Sequence, residues 1–352
     1  MFRTNNPSFP KNTLLNGKIP LTKLGMGGGQ LGNAGMTISD DTAQQILQQA
    51  WDSGIRYFDC APLYGVGLAL TRAGQFLKKY PRQQLALSSK VGFVIKQGAT
   101  RSHVDLPFLD NQAKHVECDY TYAGIMASMH QNKELLQTGY LDILFVHDLG
   151  RYVHKDKHEV MMDMFFNQGG MKALEELRAN GSARAIGIGV NEWEVCVEVI
   201  EEGFIPDCVM LAGRYTLLDQ SALGRFFDLC TTHHIAVIVA GVYNSGILSG
   251  DPDNTNFNYA PANRNLIKLK DEINQVCQEY GVALPQAALQ FPLLHPQVVA
   301  VVTSAYSAPQ IKQSAEYMKK DTDAALWRKL RHLDLIAVDA FIPVQPSTKA
   351  RL

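Results

Sequence analysis

The chain has 352 residues, and its 33 basic and 34 acidic side chains leave a formal net charge of -1. That balance provides no cationic surplus to hold a polyanion and no Lys/Arg-rich stripe, so nucleic acid and anionic membranes are not expected partners. No stretch of about 18 consecutive apolar residues exists to span a bilayer, and the polar, Asn- and Pro-rich residues 1–18 lack a secretory apolar core; the expected location is the cytoplasm.

Short apolar runs alternate with amphipathic ones along almost the whole chain. Strands are predicted over 21–26, 55–58, 85–89, 143–146, 185–190, 208–211, 236–239 and 299–302. They lack sustained polar alternation, as strands covered on both faces do. Helices are predicted over 42–51, 70–79, 119–137, 171–179, 192–201, 222–232, 265–279 and 308–318. The third opens on Asp119 as its expected N-cap, with Ile125, Met126 and Met129 on one stripe.

This βα alternation, without a Pro/Gly-rich linker to divide it, predicts an α/β fold of the (β/α)8 TIM-barrel type. The whole chain, 1–352, is expected to form one domain with the barrel core over about 21–335. Asn16-Gly17 between two apolar pairs is a hairpin signal, and that hairpin is expected to close the barrel bottom. Long connections over 97–118, 149–170 and 243–264 each follow a strand. They therefore belong at the carboxyl-end face, where barrel enzymes bind substrate. The last, carrying Asp251-Pro252-Asp253-Asn254, is expected to be mobile and to close over the site.

The six cysteines, Cys60, Cys118, Cys196, Cys208, Cys230 and Cys277, are scattered without a CxxC spacing and are expected as free, mostly buried thiols. Chemistry concentrates at three strand ends. Asp59 ends the second strand, Lys90 the third and His147 the fourth, and Tyr64 follows on the loop after Asp59. Taken singly, an Asp or Lys at a strand end is as well read as a cap or a surface ion pair. Taken together, a Lys90–Asp59 pair offsets part of the cost of burying either charge. A lysine beside the Tyr64 hydroxyl would lower its pKa and make it an acid/base group near neutrality. His147 would then orient the reacting oxygen, and no metal is required.

The run Gly54-Ile-Arg-Tyr-Phe-Asp59-Cys-Ala-Pro-Leu-Tyr64-Gly65, the strand end Leu87-Ser-Ser-Lys90 and Leu141-Asp-Ile-Leu-Phe-Val-His147 resemble the signatures of the aldo-keto reductases over nearly the whole chain. The resemblance implies a barrel that binds NAD or NADP in extended form, and a catalytic tetrad at Asp59, Tyr64, Lys90 and His147. Gly187-Ile-Gly-Val-Asn191-Glu-Trp193, Leu211-Ala-Gly-Arg-Tyr215 and the Asp148 of Val146-His147-Asp148 resemble the aldose 1-dehydrogenase branch, which includes D-threo-aldose (L-fucose), L-galactose and pyridoxal 4-dehydrogenases. Asn191 matches the family residue that binds the nicotinamide carboxamide.

Two positions depart from the family pattern. Ala212 stands where a glutamine is usual, and the seventh strand ends Ala240-Gly241-Val242 instead of in a residue that stacks on the nicotinamide. Gly27, Gly28, Ala240 and Gly241 are expected to line the cofactor. Tyr243, Asn244, His147, Asp148 and Trp193 are expected near the substrate, with plain core packing an equal alternative for Trp193. The positions that would hold a 2′-phosphate are Ser304, Tyr306 and Gln310, all uncharged, with Ser314 beyond. Charge-assisted hydrogen bonds are absent there, which favours NAD; Lys312 keeps NADP open.

Gly27, Gly29 and Gly32 match a dinucleotide fingerprint in spacing only, since 33–39 reads as loop and no helix follows in the expected place. His154 and His158 have a ligand-like spacing, yet the lysines around them predict a solvated loop. The expected reaction is oxidation of a cyclic hemiacetal to a lactone, on an aldose or on pyridoxal, with Tyr64 as base. The alternatives are general carbonyl reduction and a cofactor-binding subunit without turnover. A monomer or small homo-oligomer is expected.

Overall fold

The computed structural model describes residues 9–15, 17–98 and 114–343. Eight parallel strands close a barrel in chain order: Leu24–Gly27, Tyr57–Asp59, Ala86–Val91, Leu141–His147, Ala183–Val190, Cys208–Ala212, Ala236–Ala240 and Val298–Thr303. The last pairs with the first, Val301 opposite Leu24. The predicted strands all form, displaced by up to three residues at their ends.

Inward-facing residues fill the barrel and helix-facing residues form a second apolar layer, the division expected of strands buried on both faces. Tyr57, Phe145, Met210 and Ile238 belong to the inner cluster. Leu14, Ile19 and Leu21 join it from the antiparallel hairpin Lys11–Leu14/Ile19–Thr22. The hairpin therefore plugs the amino-terminal end, as its turn signal predicts, although Asn16 itself lies outside the described residues. Asn12 Nδ2 donates to Val299 O (2.9 Å) and fastens it there. On the same side Asp142 accepts from Leu87 N (2.9 Å), Arg82 (2.6 Å) and Arg184 (2.8 Å), tying the third, fourth and fifth strands together.

Several elements differ from the sequence reading. The third helix spans Tyr122–Leu136 and is capped by Thr121 rather than Asp119, whose carboxylate instead accepts from the Thr121 backbone and hydroxyl. The connection after the third strand is an antiparallel pair, Phe93–Gln97 with Lys114–Cys118; residues 99–113 lie outside the described set. The connection after the fourth strand holds two helices, Arg151–His154 and His158–Phe166. His154 and His158 are both buried, which overturns the solvated-loop reading. His154 ends one helix and lies 2.8 Å from the Tyr120 hydroxyl, His158 opens the next and lies 2.8 Å from Glu198 Oε2, and Lys155 and Lys157 between them are exposed. Helices Leu284–Gln290 and Ala324–His332 were not anticipated. All six cysteines are free, five of them buried. Among the described residues no helix is long and apolar enough to cross a membrane.

Candidate active site

Strand register builds the site. Asp59 lies opposite both Gly27 and Ser88, and Lys90 stands two residues beyond Ser88, on the same side of the strand. Lys90 Nζ donates to Asp59 Oδ2 at 2.6 Å and to Cys60 O at 3.0 Å. Ser88 Oγ donates to Asp59 Oδ1 at 2.6 Å, and the Tyr57 hydroxyl lies 3.0 Å from Ser88 Oγ. Lys90 and Asp59 are both almost fully buried. The desolvation of each is offset by its partner and by these added hydrogen bonds.

Tyr64 reaches this pair from the loop after the second strand. Lys90 Nζ is 4.8 Å from its ring centroid, and the His147 ring meets it edge-on at 5.7 Å. A close backbone approach sets the loop. A Cβ on Gly32 would come within 2.4 Å of the Tyr64 carbonyl carbon, so only glycine fits against Tyr64-Gly65. The glycine-rich turn after the first strand thus seats the tyrosine, and the closed barrel replaces the dinucleotide-fingerprint reading.

The electrostatics correct one expectation. Burial holds the Tyr64 hydroxyl well above its ordinary pKa, and the nearby carboxylates of Asp59 and Asp148 push the same way. Burial and these carboxylates set the direction, and Lys90 is paired with Asp59. The Tyr64 hydroxyl therefore keeps its proton at neutral pH. Burial, aided by Lys90 and His154, holds His147 well below its usual value and so neutral. His147 Nδ1 is buried without a hydrogen-bond partner among the described residues. Since Nε2 faces Asp148 Oδ2 at 3.5 Å, the ring is assigned its proton on Nε2.

Asp148 and Asn191 complete the rim. Asn191 Nδ2 donates to Asp148 Oδ1 at 3.1 Å, and the Tyr259 hydroxyl donates to Asn191 Oδ1 at 3.4 Å. Arg214 Nε donates to Asn191 O at 2.8 Å. Tyr259 comes from the connection after the seventh strand, which therefore already reaches across the rim. Burial pushes the Asp148 carboxyl up to about 7, against the opposing pull of Asn191 and Lys90.

The expected cofactor residues form an arc along the remaining strand ends. Gly27 packs so closely on Ser304 that a Cβ would lie 2.8 Å from Ser304 Oγ, and a Cβ on Gly28 would lie 2.8 Å from Cys60 Sγ. Tyr306 N donates to Gln310 Oε1 (2.8 Å), and the Tyr306 hydroxyl donates to Ala34 O (2.8 Å). Tyr243 turns its hydroxyl to Ser314 Oγ at 3.1 Å. Asn244 Nδ2 donates to Gly213 O at 3.3 Å, while its buried Oδ1 has no donor among the described residues. Gly241, at a positive φ of 63°, follows Ala240 at the end of the seventh strand. Close-packed glycines, uncharged side chains and the unsatisfied buried Asn244 Oδ1 are compatible with a nicotinamide cofactor there. Trp193 is half-buried against the outer apolar layer, in keeping with its packing alternative. Tyr215 packs on Phe227 and Phe291 in the core.

Ser88, Tyr120, His154, Arg214 and Tyr259 were missed as site residues. Ser88 was within the quoted Leu87-Ser-Ser-Lys90 run and Arg214 within Leu211-Ala-Gly-Arg-Tyr215; the others come from connections whose path no periodicity fixes.

The aldo/keto reductase family profile matches residues 23–334, a span that includes the whole barrel with Asp59, Tyr64, Lys90 and His147. The chain belongs to the aldo/keto reductase family. It is an oxidoreductase of that family. It is 36% identical over 329 residues to the pyridoxal 4-dehydrogenase of Microbacterium luteolum, covering 91% of this chain and 96% of the relative. It is 34% identical over 326 residues to the D-threo-aldose 1-dehydrogenase of a Pseudomonas species, covering 90% and 95% respectively. The holo form of aldo-keto reductase AKR11C1 from Bacillus halodurans shares the fold, with a TM-score of 0.74, 24% identity and coverage of 96% of this chain and 99% of that one.

Proposed function

We propose that this aldo/keto reductase oxidises the anomeric hydroxyl of an aldose, such as L-fucose, D-arabinose or L-galactose, to the lactone, using NAD. The observation that carries this reading is the juxtaposition of Tyr64, the Lys90–Asp59 pair and His147 on one rim, with the Asp148 carboxyl beside His147 Nε2. The similarity to an aldose 1-dehydrogenase over nine-tenths of the chain supports the substrate class.

In the reaction His147 Nε2–H holds the anomeric oxygen, and Tyr64, once deprotonated, takes the hydroxyl proton. The C1–H bond breaks with its electron pair, and the C1–O bond becomes a carbonyl. When bound, the oxidised nicotinamide would supply the hydride acceptor. Lys90 and Asp59 keep the tyrosine in position and balance the charge around it. NAD is favoured because Ser304, Tyr306 and Gln310 are neutral, although exposed Lys312 stands close in sequence.

The second reading is oxidation of the pyridoxal hemiacetal to 4-pyridoxolactone, supported by the 36% identical relative. Phe165 is fully buried against Phe204 and Phe166, so that aromatic pair does not present a platform for a flat ring.

Initial rates of NADH formation with L-fucose, D-arabinose, L-galactose and pyridoxal test the proposal, the best substrate then being repeated with NADP. Turnover of a sugar with pyridoxal inert is expected. Turnover of pyridoxal alone would move the same tetrad to the second reading.

A further inference from the structure

Asp148 is a buried carboxylate with too few partners. A carboxylate offers about four lone-pair sites, yet among the described residues the side chain accepts one hydrogen bond, from Asn191 Nδ2, on Oδ1. Oδ2 lies 3.5 Å from His147 Nε2. Its backbone is held in the left-handed region at φ 49°, unusual for a residue other than glycine. That conformation is built, not incidental. The Asp148 N–H donates to Gly189 O at 2.8 Å. The fully buried Tyr120 hydroxyl bonds His147 O at 2.7 Å and Asp148 O at 3.2 Å, and lies 2.8 Å from His154 Nε2. Two buried side chains from two different connections thus fix the turn that aims the carboxylate beside the tetrad histidine.

We propose that Asp148 is a specificity-determining acceptor that reads a second substrate hydroxyl, on the carbon adjoining the reacting one. This rests on the aldose reading above. With the anomeric oxygen on His147 Nε2, oxygens on adjacent carbons lie about one hydrogen-bond length apart. The neighbouring hydroxyl then falls where Oδ2 can accept its proton. A hydrogen bond to a charged, desolvated acceptor is the kind of contact that discriminates strongly against an analogue lacking the hydroxyl.

The test compares kcat/KM for D-arabinose and 2-deoxy-D-ribose, its analogue without the C2 hydroxyl, in the wild-type enzyme with NAD and in Asp148→Ala. The wild type is expected to prefer D-arabinose by about tenfold or more, and the preference should collapse toward unity in the variant. Because the ratio is compared between two enzymes, each sugar's own ring–chain equilibrium cancels. Should Asp148→Ala fold poorly, Asp148→Asn, with an intermediate ratio expected, replaces it. Equal wild-type rates on both sugars, or an unchanged ratio in the variants, would overturn the proposal while leaving aldose oxidation standing. NADH formation from pyridoxal with neither sugar active would remove the aldose reading and this proposal together.

Discussion

Lys90 and Asp59 form a 2.6 Å ion pair across the second and third barrel strands, with side chains only 2% and 3% exposed. Ser88 and the Cys60 carbonyl complete their hydrogen bonding. Removing one partner strands the other charge in a dry site. Lys90→Met should therefore destabilise the fold by about 3–5 kcal/mol and abolish turnover. Adding Asp59→Leu should restore most of the stability without restoring activity. Urea unfolding of the single and double variants checks this; a double variant less stable than Lys90→Met would contradict it.

The raised Tyr64 pKa gives the pH dependence a sign. Below that pKa the phenol keeps its proton and serves the reductive direction, while oxidation needs the deprotonated form. The kcat/KM for oxidation should climb with pH across the neutral and mildly alkaline range, and that for carbonyl reduction should not. A pH–rate profile in both directions decides it, and a flat oxidative limb would remove Tyr64 as base.

Asp148 links pH to stability. Its folded pKa, about 7, lies above the ordinary carboxyl value of 3.8. Between those values the folded state binds more protons than the unfolded one, so this group's contribution falls as pH rises through the window. The penalty, complete above about pH 7, is on the order of 2–4 kcal/mol. Asp148→Asn should raise the thermal midpoint at pH 8, and the gain should fade toward pH 4. A constant gain across that range would show that the carboxyl does not titrate there.

Gly32→Ala tests how the tyrosine is seated. The added Cβ would lie 2.4 Å from the Tyr64 carbonyl carbon, a contact that backbone must relieve by moving. Because a displacement of about 1 Å at a reacting group costs as much as a hundredfold in rate, kcat should fall far more than NAD affinity. Steady-state kinetics beside a cofactor-binding titration distinguishes this from general unfolding, which would lower both.

The barrel was legible because eight buried strands must each be short and apolar, and the grouping of Asp59, Lys90 and His147 because those runs end abruptly in them. What sequence hid was set by long-range contact. The pair Phe93–Gln97/Lys114–Cys118 is half exposed and separated by a long connection, so its alternation is brief. His154 and His158 were misread from flanking lysines; a break at Lys155 (φ 53°) puts them in successive helices, where each finds its own hydrogen-bond partner. The direction of the Tyr64 shift depends on its burial and on the nearness of Asp59 and Asp148, which only distances reveal.

The central claim is that the hydride leaves the anomeric carbon. D-Arabinose deuterated at C1, incubated with the enzyme and NAD, should yield NADH carrying deuterium at C4 of the nicotinamide, with a primary isotope effect on turnover. Unlabelled NADH, or none, would contradict aldose C1 oxidation.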